Sequence, residues 1–230
     1  VNLAGDILDD SQHPINPAGY LLHSTIHGGV DGAHCVMHTH TTAGVAVASL
    51  ASGLSQSNFY SAQLHDMVAY HDFEGITIHA EEGPRVVASI GGGGPPLSPA
   101  ARGALALQAA ARPESVPLRA VQARAGEPGA AALSPEGAAL PWGGPAAKQA
   151  VILRNHGLLS WGETLPLAFA VLWTLQRACE IQLATQSMGA PLPVPQAIAA
   201  KCTCDALQFD PRHGGGQDVF DALVRQIDRI

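Results

Sequence analysis

Two short runs hold residue types able to do chemistry. In His38-Thr39-His40, an extended chain turns alternate side chains to one face, so both imidazoles can reach one ion. Neutral imidazole suits zinc, iron, manganese or nickel. A pair of surface or hydrogen-bonded histidines shows the same spacing, so the motif needs a further ligand to mean more. The second run, Arg154-Asn155-His156-Gly157, follows the most hydrophobic stretch of the chain. A histidine leaving a buried strand just before glycine projects into a cleft, although alone it serves equally well as a satisfied structural histidine. His38, His40 and His156 together would form a three-histidine site with an open coordination position, the arrangement of a catalytic metal.

Other candidates carry less. His23 and His27 stand one helical turn apart on one face, a spacing that can chelate an ion. Cys202-Thr203-Cys204 with His213 has the look of a zinc knuckle; lacking a fourth ligand, the two cysteines are expected to be free thiols in a tail. Cys35 and Cys179 read as small core residues. Glu81-Glu82 reads as a solvated helix start whose charge complements the dipole.

The elements that must position these residues follow from local signals. Asn16-Pro17 predicts an N-cap followed by proline at the first helical position, with the helix running through Leu21, Leu22 and Ile26 to Gly28-Gly29. A strand is expected over 33–40 and an alanine-rich helix over 43–50, ended near Gly53. A short helix is expected over 57–66, one or two strands over 67–79 around Gly75, and a helical turn over 84–90. Further on, 149–154 reads as a buried strand and 157–161 as a second, turning at Gly162-Glu163. The longest helix is predicted over 164–188, with Leu167, Val171, Leu175, Ala178 and Ile181 at helical spacing and Gly189 and Pro191 stopping it. Phe220, Leu223, Val224 and Ile227 predict a short amphipathic helix near the C-terminus.

The 230 residues carry 12 Lys and Arg against 19 Asp and Glu, a net charge of -7. That balance argues against nucleic acid and against anionic membrane surfaces, both of which need basic surface. No apolar run approaches the roughly 18 residues of a transmembrane helix, and no leader opens the chain. Four cysteines are too few for a disulfide framework, so a reducing cytoplasm is expected. An opening Val1 in place of Met is what a fragment would show. Composition divides the chain in three: 1–91 holds nine of the eleven histidines, 92–147 has 35 Ala, Gly or Pro among 56 positions, and 148–230 returns to globular composition. The middle stretch, with nine prolines and Trp142 as its one aromatic, cannot bury enough to offset its ordering entropy. It reads as a disordered insertion within one domain, with a short helix near 104–111.

The run Pro14-Ile15-Asn16-Pro17-Ala18-Gly19-Tyr20 through His23-Ser24-Thr25-Ile26-His27 resembles the class II aldolase/adducin head-domain family. So do His34-Cys35-Val36-Met37-His38-Thr39-His40-Thr41-Thr42-Ala43-Gly44, Ala69-Tyr70-His71-Asp72-Phe73-Glu74-Gly75 and Ile152-Leu153-Arg154-Asn155-His156-Gly157-Leu158-Leu159. The likeness continues through Gly162-Glu163-Thr164 and Ala178-Cys179-Glu180-Ile181-Gln182, covers roughly 1–91 and 148–187, and runs closest to the adducin-like subgroup. It implies an α/β fold: a three-layer α/β/α class II aldolase-like domain with a mostly antiparallel central sheet, assembled as a homotetramer with active sites at subunit interfaces. It also implies a divalent metal, zinc ahead of iron or manganese, held by His38, His40 and His156. That metal would polarise the carbonyl and hydroxyl of a small-molecule substrate. The helix bearing His23 and His27 would pack behind the site, which favours a structural role for both.

His71, Asp72 and Glu74 lie where the resemblance places the aspartate acid/base of the family's epimerases, so His71 and Asp72 are expected to move protons. The alternative for His71 is to hold the turn before Gly75. The aldolases place a catalytic glutamate four residues before the histidine matching His23. Here that position is Gly19, and the family's upstream phosphate-binding loops would lie before Val1. The resemblance therefore points to a metal-dependent lyase-type enzyme, cleaving a carbon–carbon bond or decarboxylating a small oxygenated acid. Its alternative is a non-catalytic adducin-type module binding actin and spectrin. Adducin's basic, lysine-rich tail has no match in a chain that stops at Ile230, which tilts the expectation toward the enzyme.

Overall fold

The computed structural model describes residues 1–3, 5–10, 12–91, 148–207 and 216–227. The insertion expected over 92–147, its helix and His213 lie outside the described residues. Asn16 opens α1 (Pro17–Gly29) by accepting hydrogen bonds from the backbone of Ala18 and Gly19, with Pro17 at the first helical position. Leu22 and Ile26, one turn apart, are its buried face. β1 (Cys35–Thr39) follows, then α2 (Thr42–Ala48), whose cap Thr41 accepts from Gly44 N–H. Asn58 and Ser61 form a reciprocal capping box at α3 (Phe59–Gln63). β2 (Val68–His71) ends short of Gly75, and no further strand follows it before the 3₁₀ turn Ala80–Glu82 and α4 (Gly83–Gly91).

β3 (Ala150–Leu153) and β4 (Gly157–Gly162) are buried at every position, as central strands covered on both faces must be. Thr164 caps α5 (Leu165–Gln186), whose buried Ala168, Val171, Leu172, Leu175, Ala178, Cys179 and Gln182 recur at helical spacing. Two more helices close the described chain: α6 (Gln196–Leu207) and α7 (Gln217–Ile227). Sequence patterning predicts α7 but not α6, because the latter has little amphipathicity. Cys202 and Cys204, expected in a tail, sit on α6, which is anchored by the buried Thr203 donating to the Ala62 carbonyl at 3.0 Å.

The sheet order is β1-β4-β3-β2. β4 runs antiparallel to both β1 and β3, whereas β3 runs parallel to β2. The sheet is therefore mixed, which corrects the expectation of a mostly antiparallel one. The reason is connectivity: β3 and β4 are joined by a tight turn, whereas the link from β2 to β3 passes through α4, a crossover of the kind parallel neighbours require. Alternation along β3 turns Val151 and Leu153 toward Leu22, Ile26, Val86 and Ile90 of α1 and α4. Ala150 and Ile152 turn toward Val47, Val171 and Leu175 of α2 and α5. Each fully buried aliphatic side chain contributes about 1.5–3 kcal/mol of transfer free energy. No helix among the described residues is long and apolar enough to cross a membrane.

Candidate metal centre

The strand directions give one edge of the sheet its character. β1, β2 and β3 all point the same way, so their carboxyl ends gather together, as at the ligand-binding edge of many open α/β sheets. His38 and Thr39 end β1, His71 ends β2, and the turn after Leu153 carries Arg154, Asn155 and His156. That turn is closed by Asn155 in the left-handed region, at φ 56°, a conformation asparagine tolerates better than most residues. The turn is pinned at three backbone points: Arg154 N–H donates to His71 O at 2.8 Å, Asn155 N–H to Ala48 O at 3.0 Å, and His156 N–H to Leu153 O at 3.1 Å. Gly157 has no room for a side chain. A Cβ there would overlap the Thr39 carbonyl oxygen and come within 3.0 Å of the His40 ring and 3.3 Å of the His38 ring.

His38, His40 and His156 converge as a result. One ring nitrogen from each lies within 4.8 Å of the others, and their ring centroids are 4.5, 4.9 and 4.7 Å apart pairwise. His38 Nδ1 lies 2.9 Å from the Leu158 carbonyl oxygen, an acceptor that requires the proton on Nδ1. The Nε2 lone pair is then left facing His40 Nε2 at 2.7 Å. A backbone carbonyl fixing the tautomer of an imidazole behind the ligand atom is the usual outer partner of a metal-bound histidine. Burial foremost, with His156, His40 and His23 nearby, lowers the His38 pKa to about 4 against the pull of the Leu158 carbonyl. Burial and the neighbouring His40 also lower His156, with Glu82 pulling the other way. Three imidazoles that each bring one ring nitrogen within 4.8 Å of the others are a donor set that fits a divalent transition metal.

The three-histidine group does not include the residues expected to move protons. His71 is buried, with Nε2 3.3 Å from Glu82 Oε1 and 3.9 Å from Glu74 Oε1. Asp72 is 38% exposed at its side chain and pairs with Arg154 Nε at 3.4 Å. Arg154 also donates to the carbonyls of Leu50 and Ala51 and lies over the Tyr70 ring, so Asp72 braces the turn that carries His156. Glu82, expected to be solvated, is instead buried against His71 and Thr77. Only Glu81 of that pair is exposed. Phe73 lies beside the centre, its ring 6.4 Å from that of His156, and it is 53% exposed. Neither Glu82 nor Phe73 is evident from sequence spacing.

On α1, His27 Nδ1 contacts the Ala33 carbonyl at 2.7 Å, a structural tie. His23 faces a cleft of about 390 Å³ lined also by Asn16, Gly19, Tyr20, Ser24 and His27. Burial foremost, then His27, lowers the His23 pKa. Gly19 contributes no acid to that cleft.

The family model described as the class II aldolase and adducin N-terminal domain matches residues 1–183. A Pseudomonas aeruginosa protein provisionally named an aldolase class 2 protein is 31% identical over 232 residues, covering 100% of this chain and 68% of its own length. Alpha-adducin of mouse is 29% identical over 243 residues, covering 100% of this chain and 26% of its own. The crystal structure of an aldolase II superfamily protein from Pseudomonas syringae superposes with a TM-score of 0.69 at 29% identity, covering 100% of this chain and 70% of that one. The chain thus spans about two thirds of one curated relative and about a quarter of the other.

Proposed function

The chain belongs to the class II aldolase and adducin N-terminal domain family, and from that membership we propose that it is a divalent-metal-binding domain of a lyase-type enzyme. The observation that carries this reading is the convergence of three imidazoles at the carboxyl edge of the sheet. His38, His40 and His156 hold the ion, zinc ahead of iron or manganese. When bound, the metal supplies Lewis-acid polarisation of a substrate carbonyl or carboxylate. The chain's own residues then bind and orient a small oxygenated substrate beside Phe73 and the cleft at His23. Asp72 is the partly exposed group for proton transfer, and the buried His71 acts through its contact with Glu82. Gly19 favours decarboxylation, or an aldol cleavage whose acid comes from elsewhere. The same reading carries the three-layer α/β/α arrangement, a homotetramer and a cytoplasmic setting as proposals.

Elemental analysis of the purified chain beside its His38→Ala variant tests it. One divalent transition metal per chain, lost in the variant, is the expected result. Folded protein that holds no metal under metal-replete conditions overturns it.

A second reading has a specific observation behind it: alpha-adducin matches across the whole chain. Under that reading the domain is an adducin-type interaction module for the actin and spectrin cytoskeleton, without catalysis. Co-sedimentation with filamentous actin by metal-free protein would favour it over the enzyme.

A further inference from the structure

We propose that Phe73 is a specificity-determining residue, whose ring forms an apolar wall at the three-histidine centre and selects a substrate with an aromatic tail over one with a phosphate. The inference rests on the reading that His38, His40 and His156 bind a divalent metal. It deepens that reading by naming what the substrate carries beyond its metal-binding end. The starting point is a ring pairing with one of the three histidines. Phe73 and His156 lie edge to face, with 6.4 Å between centroids and 72° between planes, a favourable arrangement for aromatic rings. His156 brings one ring nitrogen to the group, and Phe73 remains 53% exposed beside it.

That exposure does not come from a loose chain. On one side of Phe73, Asp72 pairs with Arg154 Nε at 3.4 Å. On the other, Glu74 forms a two-point pair with Arg85. Arg154 belongs to the same turn as His156, and its N–H donates to the His71 carbonyl at 2.8 Å. Phe73 is thus tied to the histidine turn through the backbone, through the side chain of Asp72 and through its own ring. Ile76 and Ile78 are 74% and 54% exposed, so the same loop carries three exposed apolar side chains. A single exposed apolar side chain is ordinary. One pinned beside a convergent donor set has the placement of a binding-site wall, apolar surface around a few polar groups.

The same pairs take up the cations that a phosphate would need. Arg85 and Arg154, which bracket the loop, are each engaged by one of its carboxylates. Of the other lysines and arginines described, Lys148 donates to the Asp66 carbonyl before β2, and Arg177 pairs with Glu180 on α5. Lys201 and Arg225 lie on α6 and α7. A phosphate beside Phe73 would lose hydration without gaining a charge-assisted partner. Asp72, 38% exposed at its side chain, would repel it. An aromatic tail meets neither penalty, and it gains by covering the half-open ring.

The test is calorimetric titration of the zinc-loaded full chain with lactate, phenyllactate and 3-phosphoglycerate. These three share a 2-hydroxy acid head and differ in a methyl, benzyl or phosphate-bearing tail. Wild type is expected to bind phenyllactate about tenfold tighter than lactate, and 3-phosphoglycerate no tighter than lactate. Phe73→Ala is expected to bring phenyllactate within about twofold of lactate, with zinc affinity and lactate affinity unchanged. Phe59→Ala, which removes an exposed ring on α3 whose ring neighbour is Tyr60, is expected to keep the full preference. Any of three results overturns the proposal: no preference for phenyllactate in wild type, a preference that survives in Phe73→Ala, or tighter binding of 3-phosphoglycerate than of phenyllactate. Zinc-loaded wild type that binds none of the three acids overturns it as well. Sedimentation of both proteins adds a further arm, since a change of oligomeric state in Phe73→Ala with an unchanged acid preference means that the ring meets a second copy instead. If Phe73→Ala does not fold, Phe73→Leu decides: it keeps an apolar side chain without the ring, and an undiminished phenyllactate preference in it overturns the inference. Absence of zinc binding by wild type fails the metal-centre reading itself, a result distinct from a failure at Phe73.

Discussion

His38 is held between the Leu158 carbonyl and the His40 ring, and that sandwich dictates where its proton can be. On the proposed metal-binding reading, His38 and His156 are ligands that no neighbour replaces among the described residues, so His38→Ala and His156→Ala are each expected to abolish stoichiometric metal binding. His213→Ala is expected to retain it, and elemental analysis of the three variants checks both. A pH dependence follows for the metal-free protein. His38 titrates near the ordinary imidazole value of 6.5 when unfolded but at about 4 when folded. Between those values the unfolded chain binds a proton that the folded chain does not, so stability falls as pH drops from about 6.5 to about 4. His23 and His156, also lowered, act in the same direction. The melting midpoint of metal-free protein is expected to decline across that window, less steeply in His38→Gln; a flat profile would contradict it. The pairing of His38 and His40 is legible in the sequence because strand alternation is a local rule. The burial of Glu82 is not, because its partner His71 lies 11 residues away, and an acidic pair at a helix start ordinarily faces water.

At the scale of elements, the turn between β3 and β4 does the most for the centre. Gly157 lies against the Thr39 carbonyl and the rings of His38 and His40, so Gly157→Ala must push β1 away from β4. Such overpacking costs about 1–3 kcal/mol, and the displaced rings should also bind zinc more weakly. At Gly28, in the last turn of α1, an added Cβ would meet nothing within 4 Å. Gly28→Ala is therefore expected to stabilise the chain by up to about 1 kcal/mol through helix propensity alone. Urea unfolding of the two variants checks the contrast, and equal effects would mean that the close approach at Gly157 is not made in solution. Elements with strong local signals are readable from sequence: the capped α1, the wholly apolar β3, and α5 with its long apolar periodicity. Strand direction is not. Whether β3 runs with or against β2 depends on the long connection between them, and no periodicity within either strand encodes that.

For the molecule as a whole, the stretch over 92–147 separates two parts of the chain that share both apolar clusters. The first part supplies α1, α2, β1, β2 and α4, and the second supplies β3, β4 and α5. Neither part can bury its apolar face alone, since Ile152 and Leu158 of the second pack with Val47 of the first. The connection must therefore let β3 reach its place between β2 and β4, and 35 of its 56 residues are Ala, Gly or Pro. Closing a flexible loop costs only about 0.6 kcal/mol for each doubling of its length. Replacing 93–147 with a short Gly/Ser linker is therefore expected to leave zinc stoichiometry unchanged and to raise stability by about 1–2 kcal/mol at most. Elemental analysis and urea unfolding of the shortened chain measure both. Insoluble or metal-free product would show that the stretch packs against the domain, and that its composition conceals a structural role.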